Sequence, residues 1–153
     1  MARTVVLDAG PLGLLCVCTG VIEADRCGDW LQSIVAGRAN IVIPVVADYE
    51  VRRELIRVDA TPKLLALDNL ADVYGLFELE PEATQVAAEF WARLRRTGKP
   101  TAPDDDLDAD ALLAGVAATC VEPGDSANVA TTNTRHLARF PGVDARLWSD
   151  IRA

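Results

Sequence analysis

Thr4-Val5-Val6-Leu7-Asp8-Ala9-Gly10-Pro11 is the stretch on which the fold turns. Its first four residues show no alternation of apolar and polar positions, which marks a short strand covered on both faces. Pro11 suits the first turn of a helix, where its missing N–H costs nothing. A buried strand that passes into a helix within a few residues predicts an α/β protein, with Asp8 at the strand's carboxyl end.

Outward from this stretch the same alternation recurs. Residues 29–37 suggest a helix stopped by Gly37, and residues 40–43 (NIVI) a second strand ended by Pro44. Ala47, Val51, Leu55 and Val58 then fall at helical spacing, and residues 62–70 suggest another helix. Residues 73–79 (VYGLFEL) give a third strand, Pro81 starts a helix that ends near Gly98, and residues 99–106 (KPTAPDDD) form a loop. A helix over residues 107–118, a strand over 128–132, a short helix over 134–139 and a fifth strand over 144–148 complete the chain. The prediction is a three-layer α/β/α sandwich with a mostly parallel five-stranded sheet, in a single domain spanning residues 1–153.

The chain holds 15 Lys+Arg against 23 Asp+Glu, a net charge of −8, and 50 % of its residues are hydrophobic. That supplies a core without staples and argues against a broadly basic surface for duplex nucleic acid. Cys16, Cys18, Cys27 and Cys120 form no paired Cys-x-x-Cys motifs and His136 is the lone histidine, which argues against structural zinc. The thiols are expected free. No apolar run approaches the ~20 residues of a membrane helix and the amino end carries no basic leader, so a soluble, cytoplasmic protein without membrane contact is expected.

In open α/β sheets the functional crevice lies beyond the carboxyl ends of the strands. Asp8 ends the first strand, Glu50 follows the second within two helical turns, Asp110 opens the helix before the strand at 128–132, and Asn133 ends that strand. Three carboxylates converging there would repel, each pair at ~4 Å by about 4 kcal/mol at an effective dielectric near 20. Protonation or a cation relieves this, and Mg²⁺ or Mn²⁺ is the natural choice for carboxylate oxygens.

The four segments TVVLDAG, ADYEVRREL, DADALLAGVA and ATTNTRHL, in this order and at these separations, resemble PIN-domain proteins of the VapC toxin type over nearly the whole chain. The resemblance implies a five-stranded parallel α/β/α sandwich and metal-dependent endoribonuclease activity, held in check by a small antitoxin. Carried over, Asp8 and Asp110 would be direct metal ligands and Glu50 would bind a second ion or orient the attacking water. Asn133 stands where Asp is commoner, and its amide brings no charge to a second ion, for which Asp106 or Asp108 would compensate. Gly10 stands where many relatives place Ser or Thr. The implied reaction is in-line hydrolysis of an RNA phosphodiester to 5′-phosphate and 3′-hydroxyl ends. Arg52, Arg53, Arg135 and Arg139 are the candidates for the RNA backbone.

Simpler roles compete for the same residues. Asp8 suits a helix cap, Glu50 a solvated pair with Arg53, Asn133 an Asx turn, and Asp104, Asp105, Asp106 and Asp108 loop solvation or capping. His136 reads as packed or exposed rather than catalytic, and Trp30, Trp91 and Trp148 as core. The apolar first helix (Leu12, Leu14, Leu15, Cys16, Val17) fits either a buried element or a homodimer or antitoxin interface. Two other functions fit parts of the pattern: a binding module on an impaired PIN scaffold, and a phosphate-accepting regulatory domain. The latter needs a lysine near the site, and only Lys63 and Lys99 exist.

Overall fold

A computed structural model describes residues 3–18, 20–97 and 104–153, with residues 104–106 described by their backbone alone. The elements run β1 (Thr4–Leu7), α1 (Ala9–Leu15), α2 (Ile22–Ala36), β2 (Asn40–Val42), α3 (Val45–Arg57), α4 (Thr61–Tyr74), α5 (Pro81–Arg96), α6 (Asp104–Thr119), β3 (Ala127–Thr131), α7 (Thr134–Leu137) and β4 (Asp144–Leu147). A 3₁₀ turn over Trp148–Asp150 follows. The strands form one four-stranded sheet in the order β2-β1-β3-β4, every pair parallel. All four residues of β1 are buried, as expected of a strand between two neighbours with helices on each face.

The expected five-stranded sheet is corrected to four strands, because residues 73–79 are not a strand. Val73 and Tyr74 extend α4, whose helical run outlasts the expected end at residue 70. Gly75 turns the chain, and Phe77 alone touches the sheet edge. Its N–H donates to the Ile43 carbonyl at 2.8 Å and its carbonyl accepts from Val45 N–H at 3.0 Å. With α5 starting at Pro81, too few residues remain for a ladder, and a single bridge to Pro44 results. The β-branched and aromatic content of VYGLFEL was misleading because two of its five apolar residues, Val73 and Tyr74, serve a helix. Likewise α2 begins at Ile22 rather than at residue 29.

Alternate residues of each strand feed two separate cores. Val5, Leu7, Ile41 and Ala130 face Leu12 of α1, Cys27, Leu31 and Ile34 of α2, Val51 of α3 and Leu67 of α4. Val6, Val42 and Val129 face Ala83, Ala87 and Phe90 of α5, Leu113 and Val116 of α6, and Leu137 of α7. Each of these strand side chains thus has a helix above or below it. In α1, Leu12 and Cys16 are buried and Leu14 and Leu15 are half-buried against the same core, so the chain's own helices cover much of its apolar surface.

Trp30 and Trp148 meet edge to face with ring centres 5.7 Å apart, and Trp30 Nε1 donates to the Ile151 carbonyl at 2.9 Å. Trp91 departs from the core expectation: it is 36 % exposed, with the Arg95 guanidinium 5.2 Å from its ring centre. Phe90 takes the buried place on α5, and the next residue lies about 100° further round the helix. Among the described residues no helix is long and apolar enough to cross a membrane.

Candidate active site

In the order β2-β1-β3-β4, successive connections leave β1 on opposite sides, which places the topological switch between β1 and β3. Asp8 stands there, beyond the end of β1, and its N–H donates to the Ala130 carbonyl of β3 at 3.0 Å. Its carboxylate is fixed from two directions. Oδ1 accepts the Ala9 N–H at 2.7 Å as the cap of α1, and Oδ2 accepts the Thr131 hydroxyl at 2.7 Å. The capping role expected of an acid after a strand and a place in the crevice are therefore both realised by one side chain.

The end of β3 is built by Thr131, which is 1 % exposed. Its Oγ1 donates to Asp8 and accepts the N–H of Asn133 at 3.1 Å, so one hydroxyl ties the two strand ends together. Asn133 Oδ1 accepts the Arg135 N–H at 3.1 Å and caps α7. The amide thus does the work of an Asx cap and orients α7 at the rim of the crevice.

From α7 and the residues after it, two basic side chains reach Asp110 on α6. Arg139 Nη2 donates to Asp110 Oδ2 at 3.0 Å, and His136 Nδ1 stands 3.3 Å from the same oxygen. Arg139 is held in turn: its Nε donates to the His136 carbonyl at 2.8 Å and its guanidinium lies 5.7 Å from the centre of the Phe140 ring. Phe140 is buried against Phe90. Sequence reasoning passed over His136 as a site residue and placed Arg139 on the RNA. The spacing of His136 and Arg139, three apart beyond an Asx cap, was the available signal.

Asp8, Glu50, Asp110 and Asn133 line one cleft of roughly 310 Å³ with Ala9, Gly10, Thr131, Thr132 and His136. Glu50 reaches it half-buried from α3. Gly10 has a steric reason: a Cβ there would stand 2.3 Å from Thr132 Oγ1 and 2.8 Å from its Cγ2. The threonine after β3 therefore occupies the space a side chain on α1 would fill, and brings a hydroxyl to the cleft wall. Asp108 is exposed and does not line the cleft, and the side chains of Asp104, Asp105 and Asp106 lie outside the described residues.

The four candidate arginines separate. Arg52 faces away, with Nε and Nη2 on Asp48 at 2.9 and 3.1 Å and Nη1 on Asp68 at 2.8 Å, joining α3 to α4. Arg53 lies over Tyr49 and lines a second groove that shares Ala9, Gly10 and Glu50 with the cleft. Arg135 is exposed at the rim, and Arg139 is engaged with Asp110. A larger cleft of roughly 810 Å³ at the amino ends of the strands is lined by Arg3, Arg38, Arg146 and Arg152. Its lining also includes Asp125 and Asp144, and Asp144 is already paired with Arg146 and Asn128.

Burial pushes the Asp110 carboxyl above its ordinary value, the proximity of Asp8 adds to this, and His136 and Arg139 act against it. Asp8 and Asp110 thus feel one another. Among the described residues no group of three or more Asp, Glu, His or Cys side chains stands close enough to hold a metal ion. The three-carboxylate cage is therefore not assembled, but two opposed carboxylates fit the chemistry of Mg²⁺, which binds through one or two carboxylates and completes its shell with water and phosphate.

No family model matches the chain, and no curated protein matches it significantly. Solved structures do. VapBC2 from Rickettsia felis bound to a promoter DNA fragment has a TM-score of 0.73 at 15 % identity, covering 95 % of this chain and 99 % of that one. FitAcB from Neisseria gonorrhoeae gives 0.69 at 16 % identity, covering 96 % and 99 %. DNA-bound VapBC from Salmonella typhimurium gives 0.69 at 18 % identity, covering 97 % and 99 %. The resemblance to VapC-type PIN-domain toxins is corrected by these findings. The matches are to structures named for both VapB and VapC or for FitAcB, and at such low identity they establish a shared fold without family membership.

Proposed function

We propose that this chain is a Mg²⁺- or Mn²⁺-dependent endoribonuclease that acts as the toxin of a toxin–antitoxin pair. The observation that carries the proposal is the convergence of Asp8, Glu50, Asp110 and Asn133, from four distant places in the chain, on one cleft at the switch point of the sheet. The fold shared with VapBC and FitAcB structures supports the toxin–antitoxin setting, with a small antitoxin as protein partner.

Asp8 and Asp110 hold the ion. When bound, the ion lowers the pKa of a water ligand and offsets the charge on the scissile phosphate. Glu50, which reaches the cleft from α3, orients the attacking water and accepts its proton. The water oxygen bonds to phosphorus as the bond to the 3′ oxygen breaks, and the departing 3′ oxygen takes a proton from solvent, leaving a 5′-phosphate and a 3′-hydroxyl. Thr131 keeps Asp8 from rotating, and Asn133 keeps α7 in place by its cap. Arg135 and Arg53 flank the cleft and offer positive charge to neighbouring phosphates, so binding should weaken as salt rises.

The test is incubation of mixed cellular RNA with wild type and with Asp8→Asn or Asp110→Asn, in Mg²⁺, Mn²⁺ or chelator. Cleavage is expected only for wild type with metal, with a loss of at least ~100-fold in either variant while the folded spectrum persists. Undiminished cleavage by Asp110→Asn, or cleavage in chelator, would overturn it.

A further inference from the structure

We propose that Arg139 sets how tightly the centre holds its cation, by lending a permanent positive charge to Asp110 through a direct hydrogen bond to its carboxylate. The proposal rests on the reading of the cleft as a metal centre and goes beyond it to the control of occupancy.

Both basic side chains at Asp110 meet the same oxygen. Arg139 Nη2 and His136 Nδ1 stand 3.0 and 3.3 Å from Oδ2, so both contacts fall on one oxygen of the carboxylate. Arg139 is not a wandering surface group: the His136 carbonyl holds its Nε, and its guanidinium carbon lies 5.7 Å from the centre of the buried Phe140 ring. Its side chain is 23 % exposed, beside an Asp110 side chain at 21 %. A guanidinium stays charged at every physiological pH, so this charge is present whether or not metal is bound.

Two opposite consequences of such a contact can be told apart. A partner that only orients a ligand loosens the metal when removed, by roughly 10–100-fold. A fixed positive charge beside the ligand repels the ion, so its removal tightens binding. Orientation at Asp110 is doubly secured, by α6 and by His136 on the same oxygen, whereas Arg139 is the permanently charged member of the pair. Charge therefore dominates. In the metal-free protein the guanidinium also quiets the repulsion between Asp8 and Asp110.

Calorimetric titration of the full chain with Mn²⁺ at low salt tests this without RNA. Arg139→Gln should bind Mn²⁺ roughly tenfold more tightly than wild type, and Arg139→Lys should match wild type within about twofold because the charge is kept. Arg139→Met, which keeps the stem on Phe140, should behave as Arg139→Gln and guards against a folding defect in either variant. In chelator both neutral variants should melt below wild type, and saturating Mn²⁺ should raise their melting temperature by more than it raises that of wild type. Equal or weaker Mn²⁺ binding by both neutral variants, with binding still lost in Asp110→Asn, would overturn the role of Arg139 alone. Unchanged binding in Asp110→Asn, or none in wild type and Arg139→Gln alike, would remove the metal centre as well.

Discussion

Asp110 shows how a single side chain can work against the fold that carries it. Burial raises its pKa and Asp8 adds to that, so the ionised form is disfavoured in the folded state relative to the unfolded chain. The linkage has a definite sign. Stability from this group is complete below the ordinary carboxylate value and is lost as pH rises through the raised one. In chelator, Asp110→Asn should therefore gain melting temperature relative to wild type as pH increases from about 4 toward neutrality. A variant that falls behind wild type over that range would mean that His136 and Arg139 outweigh burial. Asp8 and Asn133 were each legible both as caps and as site residues, and they are caps that line the cleft. His136 escaped notice because a lone histidine has no chemistry until a partner 26 positions away folds against it.

At the level of elements, α5 and α6 form the tightest helix pair. A Cβ on Gly115 would stand 2.3 Å from the Ala83 carbonyl oxygen and 3.1 Å from Ala87 Cβ, so this crossing depends on a residue without a side chain. Gly115→Ala should destabilise by about 2 kcal/mol despite alanine's better helix propensity, because the obstacle is backbone rather than a flexible tip. Chemical denaturation is the measurement, and a stabilised variant would mean that α5 can shift away freely. Strands β1, β2, β3 and β4 and most helix starts were readable from local pattern. Residues 73–79 were not. A seven-residue apolar run carries the same composition whether it ends a helix or pairs in a sheet, and the neighbour decides.

Across the whole molecule, the two cores on opposite sheet faces make thiol reactivity a gauge of global opening. Burial is the main cause that pushes the Cys16 thiol up to about 11, with Asp48 adding to it, and burial with Glu23 nearby pushes Cys27 up to about 12. Both belong to the core built on α1, α2, α3 and α4, while Cys18 is exposed. An alkylating reagent at mild pH should modify Cys18 quickly and reach Cys16 and Cys27 only at the rate of unfolding. Peptide mapping over time checks this, and early labelling of Cys27 would show that α2 opens without the rest of the fold.

The sequence by itself determined the α/β class, the buried first strand, the helix starts at prolines and the crevice at the carboxyl ends of the strands, because periodicity and punctuation are local properties. Tertiary structure alone decided that the sheet stops at four strands, that Thr132 fills the space above Gly10, and that Arg139 and His136 share one oxygen of Asp110. Those outcomes depend on distances between residues far apart in the chain. No local pattern encodes such distances, and they come into being only when the sheet and its two helical layers close around the hydrophobic cores.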